Sequence, residues 1–559
     1  MLSTPLYTKA LDSAQTLDPL GTMAVNETLY RSVFPGINNV VRYIRVYSAI
    51  CWMVRQIEET AEAETDPNIA EMSAAGLGKI QLLLTWYNKM QGVTALAGSE
   101  RNFPEDDTRV KLSFRTLVGN EMAKKLEADP DYEVTRDGAK FLTAVEYRPS
   151  LVTGLQFLMA RTAVADTYKL TDAGEALADA YEEVIAEHPW RDWLADVNTL
   201  HVTRDEVLEM GDMLRLDQPS ENEQQAFLSR YYPEVEDQED VSDSDWNRWT
   251  GLTLALRALA TEEDASQEGG VTSDDIRMAM ARGSTLAGTA LDLAEVAEAQ
   301  GWWANLQLRQ YLRLAVETLF RYTQSWVHDA TIAQGNRPRD IEDCAQGVGA
   351  LLLKGLPPEH QASVAGMASS LTALQGGYTS FYAASPFVPE LRLDARADAL
   401  WDLSSFGQRT QDEAVALQEV YKALVYCALE AENLLVNPYV LQSYDAERGR
   451  LSLATLRSVF AQFREASPAE FIGHIVKHYV LLQHFSVVRS RTYDGRNRFV
   501  LMLGDNGLER VANQGLTVAG WLEDRLHHAL LLLAQCGLIE EHDGGGYALT
   551  DAGRARLGR

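Results

Sequence analysis

A seven-residue phrase occurs twice in this chain, almost 380 positions apart. Residues 168–174 read Tyr-Lys-Leu-Thr-Asp-Ala-Gly and residues 547–553 read Tyr-Ala-Leu-Thr-Asp-Ala-Gly, identical at six of seven positions. Each copy encodes the same local physics. Tyr-x-Leu suits a short strand. The Thr that follows can accept a free N–H at a helix start, and the Asp sits in the first turn, where the positive end of the helix favours it. Each copy also follows an apolar run with helical spacing. Helix, hairpin and capped helix is how a winged-helix unit ends. The phrase therefore predicts winged-helix-like units near residues 149–190 and at the C-terminus. Gly544-Gly545-Gly546 suits the tip of the second hairpin, where the backbone needs freedom.

Elsewhere the 3.6-residue period dominates, so the expected fold class is mainly α, in a multi-domain helical protein. A chain of 559 residues exceeds what one core organises. The expected division is an N-terminal helical domain over 1–190, an acidic helical middle over 191–440 and a C-terminal winged-helix domain over 441–559. Helices are expected at 40–59, with Asn39 as its cap, and at 70–91, 109–127, 149–162, 172–187, 246–260, 275–300, 302–327, 467–489 and 520–536. Two acidic stretches, 231–245 and 261–274, read as linkers because they can bury little apolar surface. Residues 376–390, rich in Gly, Pro and aromatics, read as a loop.

The net charge of −30 is unevenly spread. Residues 441–559 carry 14 Lys+Arg against 13 Asp+Glu, and residues 1–170 carry 18 against 21. The remaining 171–440 carry 18 against 46. A nucleic acid would be repelled by that middle, because its binding rests on neutralising phosphates, so any such contact belongs at the ends. No apolar run approaches the ~18 residues that a membrane helix needs. The N-terminus lacks the charged-then-apolar pattern of a signal peptide. The four cysteines form no Cys-x-x-Cys pair and read as buried apolar side chains of a reducing compartment. A bacterial, cytoplasmic setting with no membrane contact is expected.

The sequence carries none of the common catalytic motifs. None of the 11 lysines has an acid two residues before it, the usual spacing of a restriction-type nuclease core. Gly76-Leu77-Gly78-Lys79-Ile80 lacks the first glycine and the hydroxyl residue of a phosphate-binding loop. There is no His-Glu-x-x-His, no Gly-x-Ser-x-Gly and no Cys/His cluster. His474 and His478 stand one helical turn apart, a spacing that can present two imidazoles to a metal, but no third ligand is evident and satisfied histidines are the default. No catalytic residue, metal ligand or cofactor is assigned.

Two residue groups remain. Arg489, Arg491, Arg496 and Arg498 surround the turn Tyr493-Asp494-Gly495 and could contact nucleic-acid phosphates; pairing with the acidic middle, which needs no extra partner, is the favoured reading. The helices before the two hairpins offer few side chains to base edges, so they read as protein-facing. Arg42, Tyr43, Tyr47 and Trp52 line a helix with large anchoring side chains of the kind that dominate interfaces.

Phe34-Pro35-Gly36-Ile37-Asn38-Asn39, with Arg42-Tyr43, Tyr47-Ser48 and Cys51-Trp52, resembles an uncharacterised prokaryotic family associated with antiviral-defence gene neighbourhoods. The resemblance covers about the first 60 residues and implies a setting without supplying catalytic residues. The expected function is then a non-enzymatic adaptor or scaffold subunit of a bacterial antiviral-defence complex. Its partners would be an ATPase, helicase or nuclease encoded nearby, or a second copy of the chain. The alternatives are a kleisin-like subunit of an SMC-type complex, a nucleic-acid sensor using the C-terminal arginines, and an enzyme with a site assembled from dispersed residues.

Overall fold

The computed structural model describes residues 18–93, 96–114, 140–235, 237–265, 270–285, 287–332, 335, 338–374, 413–435, 437, 439, 451–490, 499–511, 516–517, 523–542 and 544–558. It is mainly helical, with a few short antiparallel hairpins. The expected loop over 376–390 lies outside the described residues. The chain divides into two units, and both are discontinuous in sequence. One joins residues 31–273 to 524–559; the other joins 1–30 to 274–523. Both copies of the repeated phrase fall in the first of these, here termed the repeat unit.

The two copies fold alike down to individual atoms. Leu158–Ala160 pairs with Tyr168–Leu170, and Ile539–His542 pairs with Gly546–Leu549, both antiparallel. In the first copy, the Thr171 amide and hydroxyl both donate to Phe157 O, at 3.1 Å each, while the hydroxyl accepts from Gly174 N at 3.2 Å. In the second, the Thr550 amide and hydroxyl donate to Leu538 O at 3.2 and 3.0 Å, and the hydroxyl accepts from Gly553 N at 3.1 Å. The closing glycine is dictated by close approach. A Cβ on Gly174 would lie 2.1 Å from Phe157 O, and one on Gly553 2.1 Å from Leu538 O. The residue leading into each hairpin has positive φ, Gln156 at 58° and Gly537 at 72°. Glycine meets that need without strain; Gln156 meets it at a steric cost.

The centre of the repeat unit is the helix Ile44–Ala63, buried without interruption from Ile44 to Val54. It packs on Asp172–Ile185, which Thr171 caps, and on Ile69–Met90. A helix apolar on all sides belongs inside a domain. The one cation buried within it, Arg45, is matched by a carboxylate. Its Nε and Nη2 donate to the two oxygens of Glu223 at 2.6 and 2.7 Å. Backbone carbonyls of Asp212 and Gln218 accept its other protons. Glu223 itself closes a capping box with Ser220 at the start of helix Glu221–Tyr231. A charge pair removed from water tolerates burial only with this kind of full partnering.

Helix Glu221–Tyr231 also links the two repeat copies. Phe227 stacks on Phe157 of the first, with ring centroids 5.7 Å apart, and the Tyr231 hydroxyl donates to Ala529 O before the second. The expected linkers are partly structured. Helix Asp243–Ala265 runs into the 261–274 stretch, where Glu263 accepts from Leu549 N at 2.7 Å and from Arg554 at 2.8 Å. Val271–Thr272 adds a third strand to the second hairpin. Glu263, an acid that looked solvated, is an anchor, while Glu239 and Asp240 are exposed. Two expected helices are also corrected. Val110–Lys111 is a strand paired with His201–Val202, and Pro149–Gly154 is a single π-turn leading into the first hairpin. The rest of the 109–127 prediction, beyond residue 114, lies outside the described residues.

In the second unit, helix Ala297–Ile332 runs through the interior and packs on Glu413–Leu434. The expected 275–300 helix is broken, because Ser273–Arg282 stops at Gly283, whose φ of 69° is the left-handed geometry of a helix end. The expected 467–489 helix is present but carries a π-helical turn, Val476–Leu481, between Pro468–Ile475 and Leu482–Ser490. His484 is fully buried there. Its Nε2 accepts from Val500 N at 3.2 Å, so Nδ1 carries the proton and donates to Pro19 O at 3.1 Å. The hairpin Leu501–Gly504/Gly507–Arg510 follows. All four cysteines are buried, and burial pushes each thiol up.

Candidate functional site

The start of helix Ile44–Ala63 was expected at residue 40 with Asn39 as its cap. The helix begins at Ile44, and Tyr43 at the cap position makes no capping bond with its own side chain. The capping acceptor comes from far along the chain. The Tyr147 hydroxyl accepts from Arg42 N at 2.9 Å and from Tyr43 N at 3.1 Å, and Gln535 Oε1 accepts from Ile44 N at 3.3 Å. Asn38, not Asn39, shapes the approach. Its side chain accepts from Val40 N and Val41 N and donates to Glu146 O.

This construction leaves a cleft of about 170 Å³ beside the helix start. Asn39, Val40, Arg42, Tyr43, Leu96, Ala97, Phe141, Glu146 and Tyr147 line it. Tyr147, Phe141 and Leu96 are buried and form an apolar wall, while Arg42, Tyr43 and Glu146 are half-buried at its edge. Among the described residues no hydrogen bond or ion pair takes up the Arg42 guanidinium, the Glu146 carboxylate or the Tyr43 hydroxyl. Burial, with some repulsion from Glu100, holds the Glu146 carboxyl above the usual range, and Arg42 opposes that shift. Burial likewise raises the Tyr43 hydroxyl, with Asp217 adding to the rise and Arg42 working against it. Tyr147 accepts two backbone N–H groups, so its own hydroxyl proton remains to be donated.

Of the four residues expected to dock a partner, the structure separates two from two. Arg42 and Tyr43 line the cleft. Tyr47 and Trp52 are fully buried. The Tyr47 hydroxyl is 2.8 Å from Ser150 Oγ, its ring packs on Tyr147, Phe157 and Phe227, and Trp52 Nε1 donates to Glu182. Their large side chains build the interior of the repeat unit, and a partner would reach them only if it opened. Of the arginine group, Arg489 is exposed at the end of helix Leu482–Ser490, and Arg491, Arg496 and Arg498 lie outside the described residues.

The remaining sequence candidates are accounted for by packing. Gly76–Lys79 lies inside helix Ile69–Met90, and Lys79 is buried with its ammonium 3.7 Å from the centre of the Trp193 ring. It donates to Trp193 O and Asp196 O. The rings of His474 and His478 lie 4.5 Å apart, and no group of three metal-ligating side chains gathers anywhere among the described residues. Sequence reasoning missed Glu146 and Tyr147, which reach the helix start from 100 residues away and carry no local signal. No helix among the described residues is long and apolar enough to cross a membrane. Comparison with protein-family models, with curated proteins and with solved structures finds no match to this chain.

Proposed function

We propose that this chain is a non-enzymatic adaptor that engages a partner protein at the Arg42–Tyr43–Glu146 cleft. The observation that supports this reading most is the cleft itself: a guanidinium and a carboxylate with no hydrogen bond or ion pair among the described residues line it beside an apolar wall. Interfaces concentrate their energy in such places, where a charged group borders a pocket for an anchor. The setting implied by the amino-terminal resemblance, an antiviral-defence complex with an ATPase, helicase or nuclease, is part of the proposal. So is the reading of each repeat copy as a winged-helix-like element. The matching cap, glycine and hairpin geometry supports that reading, and on it the two elements frame the unit that carries the cleft. The test is a tagged pull-down from the native cell at moderate salt, with nuclease treatment and mass spectrometry. Stoichiometric recovery of a second protein is expected. Recovery of the chain alone overturns the adaptor reading.

A further inference from the structure

The chemistry of the cleft specifies more than a generic partner. Its polar side is built to receive an anion. Arg42 supplies a permanent cation, the Tyr147 hydroxyl has a proton to donate, and both lie at the N-terminus of a 20-residue helix, where the backbone dipole favours negative charge. A phosphate or sulfate would suit those groups alone, but Glu146 shares the cleft and would repel a dianion. A planar carboxylate with a hydrogen-bond donor nearby suits both. Such a group places its oxygens at Arg42 and Tyr147 and an N–H toward Glu146. The buried Leu96, Phe141 and ring of Tyr147 then call for an apolar substituent between them. The size agrees. At ~30 Å³ per water, 170 Å³ holds roughly six waters, the space of one amino-acid residue and well under the ~300 Å³ of pockets for drug-sized ligands.

We infer that the cleft binds the last residue of a partner polypeptide: a free C-terminal carboxylate, its backbone N–H and an apolar side chain. The inference rests on the adaptor reading, which makes the occupant a protein chain. Recognition combines a charge-assisted carboxylate contact with burial of one side chain, and the chain before the last residue leaves the cleft past Glu146.

Isothermal titration calorimetry on the purified full-length chain tests this with three probes: the tripeptide Gly-Gly-Phe, the same tripeptide with its C-terminus amidated, and free phenylalanine. The tripeptide is expected to bind, and amidation is expected to abolish binding. Arg42→Met is expected to weaken it roughly tenfold or more, the loss of one charge-assisted contact. Glu146→Leu removes the acceptor for the backbone N–H and is expected to weaken binding several-fold. Circular dichroism and thermal melting confirm that each variant is folded. Equal binding of the amidated tripeptide, or free phenylalanine binding better than the tripeptide, overturns the C-terminal assignment. So does the absence of binding by any probe to the folded wild-type chain. A partner recovered in the pull-down despite that absence would leave the adaptor reading standing and discard only the ligand class.

Discussion

Gly553→Ala is the sharpest perturbation of the repeat unit. A Cβ at 553 would lie 2.1 Å from Leu538 O and 3.0 Å from Leu549 Cδ2, where real Cβ contacts essentially never fall below 3.0 Å. The helix start must therefore retreat by about 1 Å from the residue that leads into the hairpin. Leu538 O accepts from the Thr550 amide at 3.2 Å, and the Thr550 hydroxyl donates between Gly537 O at 2.7 Å and Leu538 O at 3.0 Å; that retreat breaks the amide bond and the hydroxyl bond. Two lost hydrogen bonds cost about 2 kcal/mol and local overpacking about 1–3 kcal/mol, against about 1 kcal/mol gained from replacing a helical glycine. The net is a loss of about 2–4 kcal/mol. Hydrogen exchange with mass spectrometry reads it by region. Because Tyr231 and Glu263 tie the second copy to residues 31–273, protection should fall in both copies, across 150–185 as well as 526–556. A loss below ~0.5 kcal/mol would refute the packing argument, since that is the scatter of ordinary surface changes. A loss confined to 524–558 would refute the claim that the two halves form one cooperative unit.

Further outcomes follow from the buried charges. Arg45→Met strands Glu223 in the core and should cost about 3–5 kcal/mol in urea unfolding of the repeat unit, while Arg45→Met with Glu223→Met recovers most of it. Burial lowers Lys79 from 10.5 to about 7, so the unfolded chain holds that proton more tightly between those values. Stability of the repeat unit should therefore rise as pH increases from about 7 to about 10, and Lys79→Met should remove that rise in melting temperature against pH. Burial holds His484 at about 4 against an ordinary 6.5, so its stabilising neutral form is present above pH 6.5 and lost as pH falls toward 4. The wild type should lose stability over that window faster than His484→Gln, measured by pH-dependent thermal melting of the chain.

The repeated phrase was legible because its meaning is local: a cap, an acid and a glycine within four residues fix the same bonds wherever they occur. Most long helices were legible from their period for the same reason. The partition of the chain was not, because residues 524–559 join 31–273 through contacts no window can hold, such as Tyr231 to Ala529 and Glu263 to Leu549. The acids of 261–274 looked like a solvated linker since composition does not say that Glu263 faces two donors. The docking candidates show the same limit. Arg42 and Arg45 are three residues apart at the start of one helix, yet Arg42 lines a cleft and Arg45 is buried against Glu223. Periodicity groups them, and only Tyr147 and Glu223, brought from distant segments, distinguish them. Tyr47 and Trp52 have the large aromatic surface that interfaces and cores share, so residue type could not separate the two uses.

The adaptor account is tested most directly by quantitative co-purification from the native cell, comparing the wild-type chain with folded Arg42→Met. The account predicts a stoichiometric partner with the wild type and its loss, by roughly tenfold or more, with the variant, the scale of one removed charge-assisted contact. Equal recovery with both proteins would contradict docking at the cleft.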